Sequence, residues 1–184
     1  ASQATYSAML RVLADKGFSD PAALTLNSAG SPTFRWHCKG TIANELAVGS
    51  AFVKPGDFDL DSLADLLPAA FIATPVLKRA DRQQLPGIEM LSPAMHWFDR
   101  NAQRGFFIHG GHWLAQPASP PGLGYSSLIG RSSNQELLLG SSKVDLRPDD
   151  IVFLRPNQSE ALFLQFGDLA DPGITGSWAG AFGQ

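Results

Sequence analysis

The sequence has few cysteines and few charges, and these scarcities exclude several classes of protein. Its 184 residues include one cysteine, Cys38, so no disulfide can form within the chain. Charged residues make up 17%, with 14 basic against 17 acidic side chains, so we expect no nucleic-acid partner and no anionic membrane surface. No apolar run is long enough to span a bilayer. Because a lone thiol suits a reducing compartment, we expect a cytoplasmic protein.

Common catalytic and metal-binding motifs are also missing. The sequence contains neither Cys-x-x-Cys nor His-Glu-x-x-His. Residues 106–113 include His-Gly-Gly, as the oxyanion segment of esterases does, but no serine stands in a Gly-x-Ser-x-Gly elbow. His109 and His112 of this segment could bind a metal, although no third ligand is evident nearby. We favour a structural or substrate-facing histidine pair.

The N-terminal third of the chain has the pattern of an α/β unit. Apolar residues at helical spacing predict a first helix, with Gly17 just beyond its end. A buried strand is predicted at residues 22–26, followed by a loop of small residues, and a second strand at 47–53. Asp57 or Asp59 is expected to cap a helix reaching about Leu67, with acidic residues in its first turn. The alternative, a calcium-binding loop, does not fit the spacing of these aspartates. The chain is too short for a complete eight-fold barrel.

Beyond Pro68 the sequence predicts short strands separated by turns. The whole chain has 18 glycines and 13 prolines, and no helical period is sustained beyond Pro68, which favours a compact β-barrel or sandwich. We therefore place a boundary between residues 1–67 and 68–184. The predicted strands are 70–77, 87–91, 105–108, 136–139, 151–154 and 161–166.

Three polar segments are candidate binding sites. Ser28, Gly30, Ser31 and Thr33 follow the first predicted strand, where small hydroxyls and backbone N–H groups suit a phosphate, although a tight turn is the plainer alternative. Residues 132–136 and 155–160 are dense polar clusters next to apolar runs. Polar side chains in such places either line a site or form a solvated hairpin turn.

Several of these segments, taken in order, carry a resemblance to a known family. They are residues 27–33, 44–50, 75–79, 132–136 and 155–160. Their order and spacing over residues 1–169 resemble the C-terminal half of the D-serine deaminase-like amino acid deaminases. Those are pyridoxal-phosphate (PLP) enzymes related to D-threonine aldolase and alanine racemase.

The resemblance implies a fold and an assembly. Residues 1–67 would be an α/β remnant, the last units of a PLP-binding (β/α) barrel, and Ser28, Gly30, Ser31 and Thr33 would bind the cofactor phosphate. Residues 68–184 would be a mainly β C-terminal domain, a small β-barrel of the alanine racemase type that closes over the site of a dimer partner. The full-length protein would then be a homodimer.

The resemblance also implies that this chain lacks the family's Schiff-base lysine and the zinc ligands of some relatives. None of its five lysines matches the family's lysine that forms the Schiff base with PLP, so we expect an inactive C-terminal fragment of a longer enzyme. Zinc-dependent relatives have Pro-Asn-His-x-Cys or His-x-Asp where this sequence has Gln158 and Glu160. Because zinc prefers imidazole and thiolate ligands, we expect no tightly bound metal.

The implied reaction is the conversion of D-serine or D-threonine to a 2-oxo acid and ammonia. Glu160 or a bound ion would assist departure of the β-hydroxyl group, as an acid or a Lewis acid. Gln158 and Glu160 would either hold such a harder ion or contact the substrate directly. Retro-aldol cleavage of a D-β-hydroxy amino acid and racemisation are alternatives within the class. A non-catalytic β-rich binding module is the alternative outside it.

Overall fold

The chain forms two compact units. The computed structural model describes residues 2–18, 20, 23–81, 103–126 and 129–166. Contacts divide the chain into Ala1–Ala70 and Phe71–Gln184. The assignment of the first unit to a larger barrel stays a prediction. Within the described ranges, no helix has the length and apolar character needed to cross a membrane.

The first unit begins with the predicted helix. Helix α1 spans Ser2–Asp15. It ends in a Schellman motif, in which the Phe18 N–H donates to the Leu13 carbonyl oxygen and the Gly17 N–H to the Ala14 carbonyl oxygen, both at 3.0 Å. Gly17 has a φ of 94°, which glycine adopts without strain. The predicted helix and its glycine stop are confirmed.

The two short strands of this unit are displaced from the predicted positions. Strand β1 is Asn27–Ser28, β2 is Glu45–Leu46, and the two pair in parallel. Over the described residues 23–26 the prediction of a strand at 22–26 is wrong, because the Asn44 side chain takes the place of a neighbouring strand. Its amide oxygen accepts the Leu26 N–H at 2.8 Å and its amide nitrogen donates to the Leu24 carbonyl oxygen at 2.9 Å.

The segment after β2 is helical rather than extended. Helix α2 is Phe34–His37, and α3 is Ser50–Val53, so the predicted strand at 47–53 is wrong. Two 3₁₀ turns, Gly56–Phe58 and Asp61–Leu63, replace the predicted capped helix. Pro55 and Leu60 precede these turns, and neither turn has a side-chain cap in the described structure. The capping role expected for Asp57 or Asp59 is therefore wrong.

The second unit is a six-stranded antiparallel sheet with the order β5-β8-β3-β4-β7-β6. The strands are β3 (Ile72–Asp81), β4 (Arg104–His109), β5 (Ala115–Ser119), β6 (Leu123–Tyr125), β7 (Gln135–Gly140) and β8 (Ile151–Pro156). Strands predicted at 70–77, 105–108, 136–139 and 151–154 are confirmed. The strand predicted at 87–91 lies outside the described residues.

One predicted strand is a helix. Residues 161–166 fall largely within α4 (Ser159–Gln165), so this prediction is wrong. Leu162 is buried, whereas Leu164 is 84% exposed, so the run packs on one side as a helix does. Phe166, four residues after Leu162, contacts the ring of Trp113 at 5.8 Å between centroids.

Strand β3 bends the sheet because it pairs with two partners. Its first residues pair with β8 and its last residues with β4, and the register shifts between Val76 and Lys78. Such a bulge increases the local twist of a strand. The inward side chains Val76, Phe106, Ile108, Leu138, Val152 and Leu154 are fully buried and form the core.

A tyrosine joins the two ends of the sheet. Strands β5 and β6 lie at opposite ends of the strand order, yet the Tyr125 hydroxyl donates a hydrogen bond of 2.8 Å to the Ala115 carbonyl oxygen. The sheet is therefore a nearly closed barrel. Burial raises the pKa of Tyr125 to about 12, and the positive charge of Arg131 offsets only part of this effect.

We expect the Tyr125→Phe substitution to lower the free energy of unfolding by about 1 kcal/mol, because the Ala115 carbonyl loses its donor. The pKa of Tyr125 is raised in the folded state above its ordinary value of 10.0. Its contribution to stability is therefore complete below about pH 10 and is lost as the pH rises towards 12. Urea unfolding of wild type between pH 9 and about 11.5 should show this alkaline loss, and Tyr125→Phe should reduce it.

Tyr6→Phe is the matched control, because the Tyr6 hydroxyl also donates to a backbone carbonyl, that of Asn27, at 2.9 Å but at an exposed site. The alkaline loss should persist in this variant. If Tyr125→Phe kept the full alkaline loss, the closing role of Tyr125 would be contradicted.

Candidate functional site

The predicted phosphate loop follows strand β1 in the first unit. Because β1 and β2 are parallel, residues 29–33 and 47–49 both leave the same edge of the small sheet. Loops at this edge are where α/β proteins place ligands. The structure therefore brings the predicted loop and the start of α3 to one place.

Ser31 connects these two loops. Its side chain is buried, and its Oγ accepts the N–H groups of Gly49 at 3.3 Å and Ala51 at 2.9 Å. Thr33 hydrogen-bonds through its hydroxyl to the Gly30 carbonyl oxygen at 3.4 Å. The Ser31 hydroxyl thus shapes the loop.

Backbone N–H groups of this loop are available to a ligand. Among the described residues, no acceptor is found for the N–H groups of Gly30 and Ser31. A Cβ added at Gly30 would meet only Pro32 Cδ at 3.9 Å, so there is open space at the Cβ position of this glycine. Backbone N–H groups without an internal acceptor are the donors that phosphate-binding loops use, and the phosphate-binding role of this loop stays a prediction. A small cavity of about 40 Å³ lies beside Ser28 and is also lined by Tyr6 and His37.

In the second unit, three segments singled out in the sequence meet at one end of the barrel. The Gly110 N–H donates to the Asn134 carbonyl oxygen at 2.7 Å, and the Glu136 N–H donates to the Gly110 carbonyl oxygen at 3.0 Å. The Asn157 N–H donates to the Leu114 carbonyl oxygen at 2.8 Å. The histidine segment and both polar clusters therefore lie near one another at this end of the barrel and are considered together as a candidate site.

An ion pair between a buried carboxylate and a guanidinium that is 33% exposed lies at this end of the barrel. The Glu136 side chain is 1% exposed and pairs with Arg131, whose Nε donates to Oε1 and whose second guanidinium nitrogen donates to Oε2 at 3.0 Å. Oε2 also accepts the His112 N–H at 2.9 Å. Arg131 donates further to the Trp113 carbonyl oxygen at 2.9 Å. Both charges are thus satisfied, which a buried carboxylate requires.

Arg131 is held on its other side by an aromatic ring. Its Cζ lies 3.7 Å from the centroid of the Tyr125 ring, a cation–π contact. The hydrogen bond to Glu136 is the main cause that raises the pKa of Arg131 further above its ordinary value.

The roles of Tyr125, Arg131 and Glu136 were not predicted from the sequence. One sequence feature could have indicated the ion pair: Glu136 directly precedes the apolar run Leu137–Leu139 and follows Arg131 by five residues.

Gln158 and Glu160 lie at the start of α4 and are both exposed. Gln158 is the N-cap residue, with extended backbone, and Glu160 is in the first turn. Between them, Ser159 is buried and its hydroxyl donates to Glu160 Oε2 at 3.2 Å. The segment is a strand-to-helix junction rather than a hairpin turn, and the roles predicted for these two residues stay predictions.

In the described ranges, no group of three His, Cys, Asp or Glu side chains could hold a metal ion. The expected absence of zinc stays a prediction.

Comparison with known proteins adds one finding. No family model and no curated protein matches the chain. A solved structure does: the crystal structure of D-threonine aldolase from Filomicrobium marinum, with a TM-score of 0.58 over 85% of this chain and 16% sequence identity. The two proteins share a fold. The chain spans 38% of the length of the aldolase, so the likeness concerns that part alone.

We expect Gly111→Ala to destabilise the barrel end by at least about 2 kcal/mol, because Gly111 has a φ of 137°. An added Cβ would also overlap the Ser132 carbonyl oxygen and the Glu136 side chain. Gly130→Ala is the control, since a Cβ there meets no atom within 4 Å. Thermal unfolding of both variants should show a large loss for the first and little for the second. Equal effects would contradict the tight packing of Gly111 on Glu136.

Proposed function

We propose that the full-length protein containing this chain is a PLP-dependent enzyme that converts D-serine or D-threonine to a 2-oxo acid and ammonia. The observation that carries the proposal is the shared fold with a D-threonine aldolase over 85% of the chain. The ordered motifs that resemble D-serine deaminase-like enzymes support the finer assignment. We further propose that the enzyme is a homodimer whose cofactor-binding lysine lies outside the present sequence.

The loop after β1 suits the phosphate of PLP. Gly30 and Ser31 would donate their backbone N–H groups, and the hydroxyls of Ser28 and Thr33 flank these donors in the sequence. The Ser31 hydroxyl keeps its hydrogen bonds to Gly49 and Ala51 and so would hold the loop in shape. When bound, PLP supplies an electron sink for the charge left on Cα after its proton is removed.

Gln158 and Glu160 would act on the substrate side chain. Gln158 has an exposed amide that can donate to or accept from the β-hydroxyl group of the substrate. Glu160 would be the acid that delivers a proton to the departing β-hydroxyl, which leaves as water. Ser159, which bonds to Glu160 Oε2, would restrict the rotamer of that carboxyl group.

Retro-aldol cleavage is the second candidate, and the aldolase fold neighbour is the observation that favours it. The two reactions differ in products, because deamination yields a 2-oxo acid and ammonia whereas cleavage yields glycine and an aldehyde. Racemisation would yield the L-enantiomer. A non-catalytic binding module would leave all of these products undetected.

The deciding experiment incubates the full-length gene product and PLP with a panel of D-amino acids. We expect 2-oxo acid from D-serine or D-threonine, and activity that survives a zinc chelator. Glu160→Gln should lower turnover by roughly a hundredfold or more, the usual scale for losing one acid–base group. Asp149→Asn, at another exposed carboxylate, should leave turnover unchanged. Aldehyde in place of 2-oxo acid would favour the aldolase, and normal turnover in Glu160→Gln would remove that residue from the mechanism.

Gly30→Ala tests the cofactor loop. Because the added Cβ meets only Pro32 Cδ at 3.9 Å, the unfolding midpoint should not change. Affinity for PLP should fall about tenfold or more, since the methyl group crowds a charge-assisted N–H bond to phosphate. Gly49→Ala, where a Cβ meets no atom within 4 Å, should alter neither property. Unchanged PLP affinity in Gly30→Ala would show that the loop is only a turn.

A further inference from the structure

The loop that joins β4 to β5 has an unusual backbone. Gly110, Gly111 and His112 are consecutive and have φ values of 73°, 137° and 55°. Glycine adopts such angles without strain, whereas a residue with a Cβ does so at a cost. His112 therefore stands where glycine would be the unstrained choice, and its side chain is exposed rather than used in the core.

The strained residue is held from both sides by the ion pair. Glu136 accepts the His112 N–H at 2.9 Å, and Arg131 donates to the carbonyl oxygen of the next residue, Trp113, at 2.9 Å. The Trp113 ring lies so close to Gly110 that a Cβ there would be 2.6 Å from it. Strained residues persist only when their surroundings hold them, and such arrangements are typical of functional sites.

The same end of the barrel carries Gln158, the residue proposed to contact substrate. A backbone hydrogen bond connects the neighbourhoods of His112 and Gln158. The carbonyl oxygen of Leu114, two residues after His112, accepts the N–H of Asn157, which precedes Gln158. Trp113 also contacts Phe166 at the end of α4. The loop with His112 thus contacts the chain on both sides of α4, through a backbone hydrogen bond to Asn157 before the helix and a ring contact with Phe166 after it.

We propose that His112 is a substrate-binding residue, and that Glu136 and Arg131 are positioning residues that hold its backbone. The inference rests on the proposed function and names a further contact for the same substrate. The exposed imidazole can donate to the carboxylate group of a D-amino acid, and it can donate to or accept from a hydroxyl group. The ion pair acts through the loop backbone and does not touch the substrate.

His112→Gly separates binding from folding in the full-length enzyme. Glycine suits the positive φ, so the unfolding midpoint should stay at the wild-type value, while KM for D-serine or D-threonine should rise about tenfold through loss of one hydrogen bond. Asp149→Gly is the matched control, because Asp149 is also exposed and has a φ of 73°. This control should change neither KM nor the midpoint. An unchanged KM in His112→Gly would overturn the binding role.

Glu136→Gln tests the positioning role. Both oxygens of Glu136 accept from donors, so the amide NH₂ group of glutamine must face a donor whichever way it is placed. Hydrogen exchange at the His112 amide should become faster, and KM should rise as in His112→Gly. The double variant should have the KM of His112→Gly alone, because both changes remove the same contact. Asp145→Asn is the control, since Asp145 also forms ion pairs with arginine, in its case with Arg79 and Arg104, but is 61% exposed.

The outcomes separate the two proposals. Effects on KM that multiply in the double variant would show that Glu136 does not act through His112. A wild-type enzyme that turns over no D-amino acid would contradict the proposed function and with it the binding role of His112. The positioning role would then be decided by hydrogen exchange alone: faster exchange at the His112 amide in Glu136→Gln supports it, and unchanged exchange overturns it.

Discussion

The buried carboxylate of Glu136 is the interaction on which the end of the barrel depends. Removing a carboxylate from water costs several kcal/mol, so it must be matched by good partners. Arg131 supplies the charge and two hydrogen bonds, and the His112 N–H supplies a third. The geometry of the surrounding loops is therefore fixed by a polar requirement rather than by apolar packing alone.

The closure of the barrel follows from the same cluster. Tyr125 contacts Arg131 through its ring face and bonds to Ala115 through its hydroxyl, so one side chain links the ion pair to the meeting point of β5 and β6. The loop glycines then allow close approach, since Gly111 leaves no room for a Cβ beside Glu136. Closure, loop shape and exposure of His112 are physically connected.

The sequence predicted elements whose pattern is local and missed those fixed by distant partners. Helix α1 and most barrel strands follow from apolar spacing. The strand at 22–26 failed because the Asn44 side chain, some twenty residues away, satisfies that backbone. The run at 161–166 is too short and too uniformly apolar to separate helix from strand. The barrel-end site required the pairing of Gly110 with Gln135, which no local pattern encodes.

The most direct test of this account is a double-mutant cycle on the ion pair, read by urea unfolding. Arg131→Met alone should cost about 3 kcal/mol or more, because it leaves the buried Glu136 charge unpaired. The pair Arg131→Met with Glu136→Leu should be more stable than Arg131→Met alone, which gives a coupling free energy of at least about 2 kcal/mol. A cost below about 1 kcal/mol for Arg131→Met, with additive effects in the pair, would contradict the central place given to this interaction.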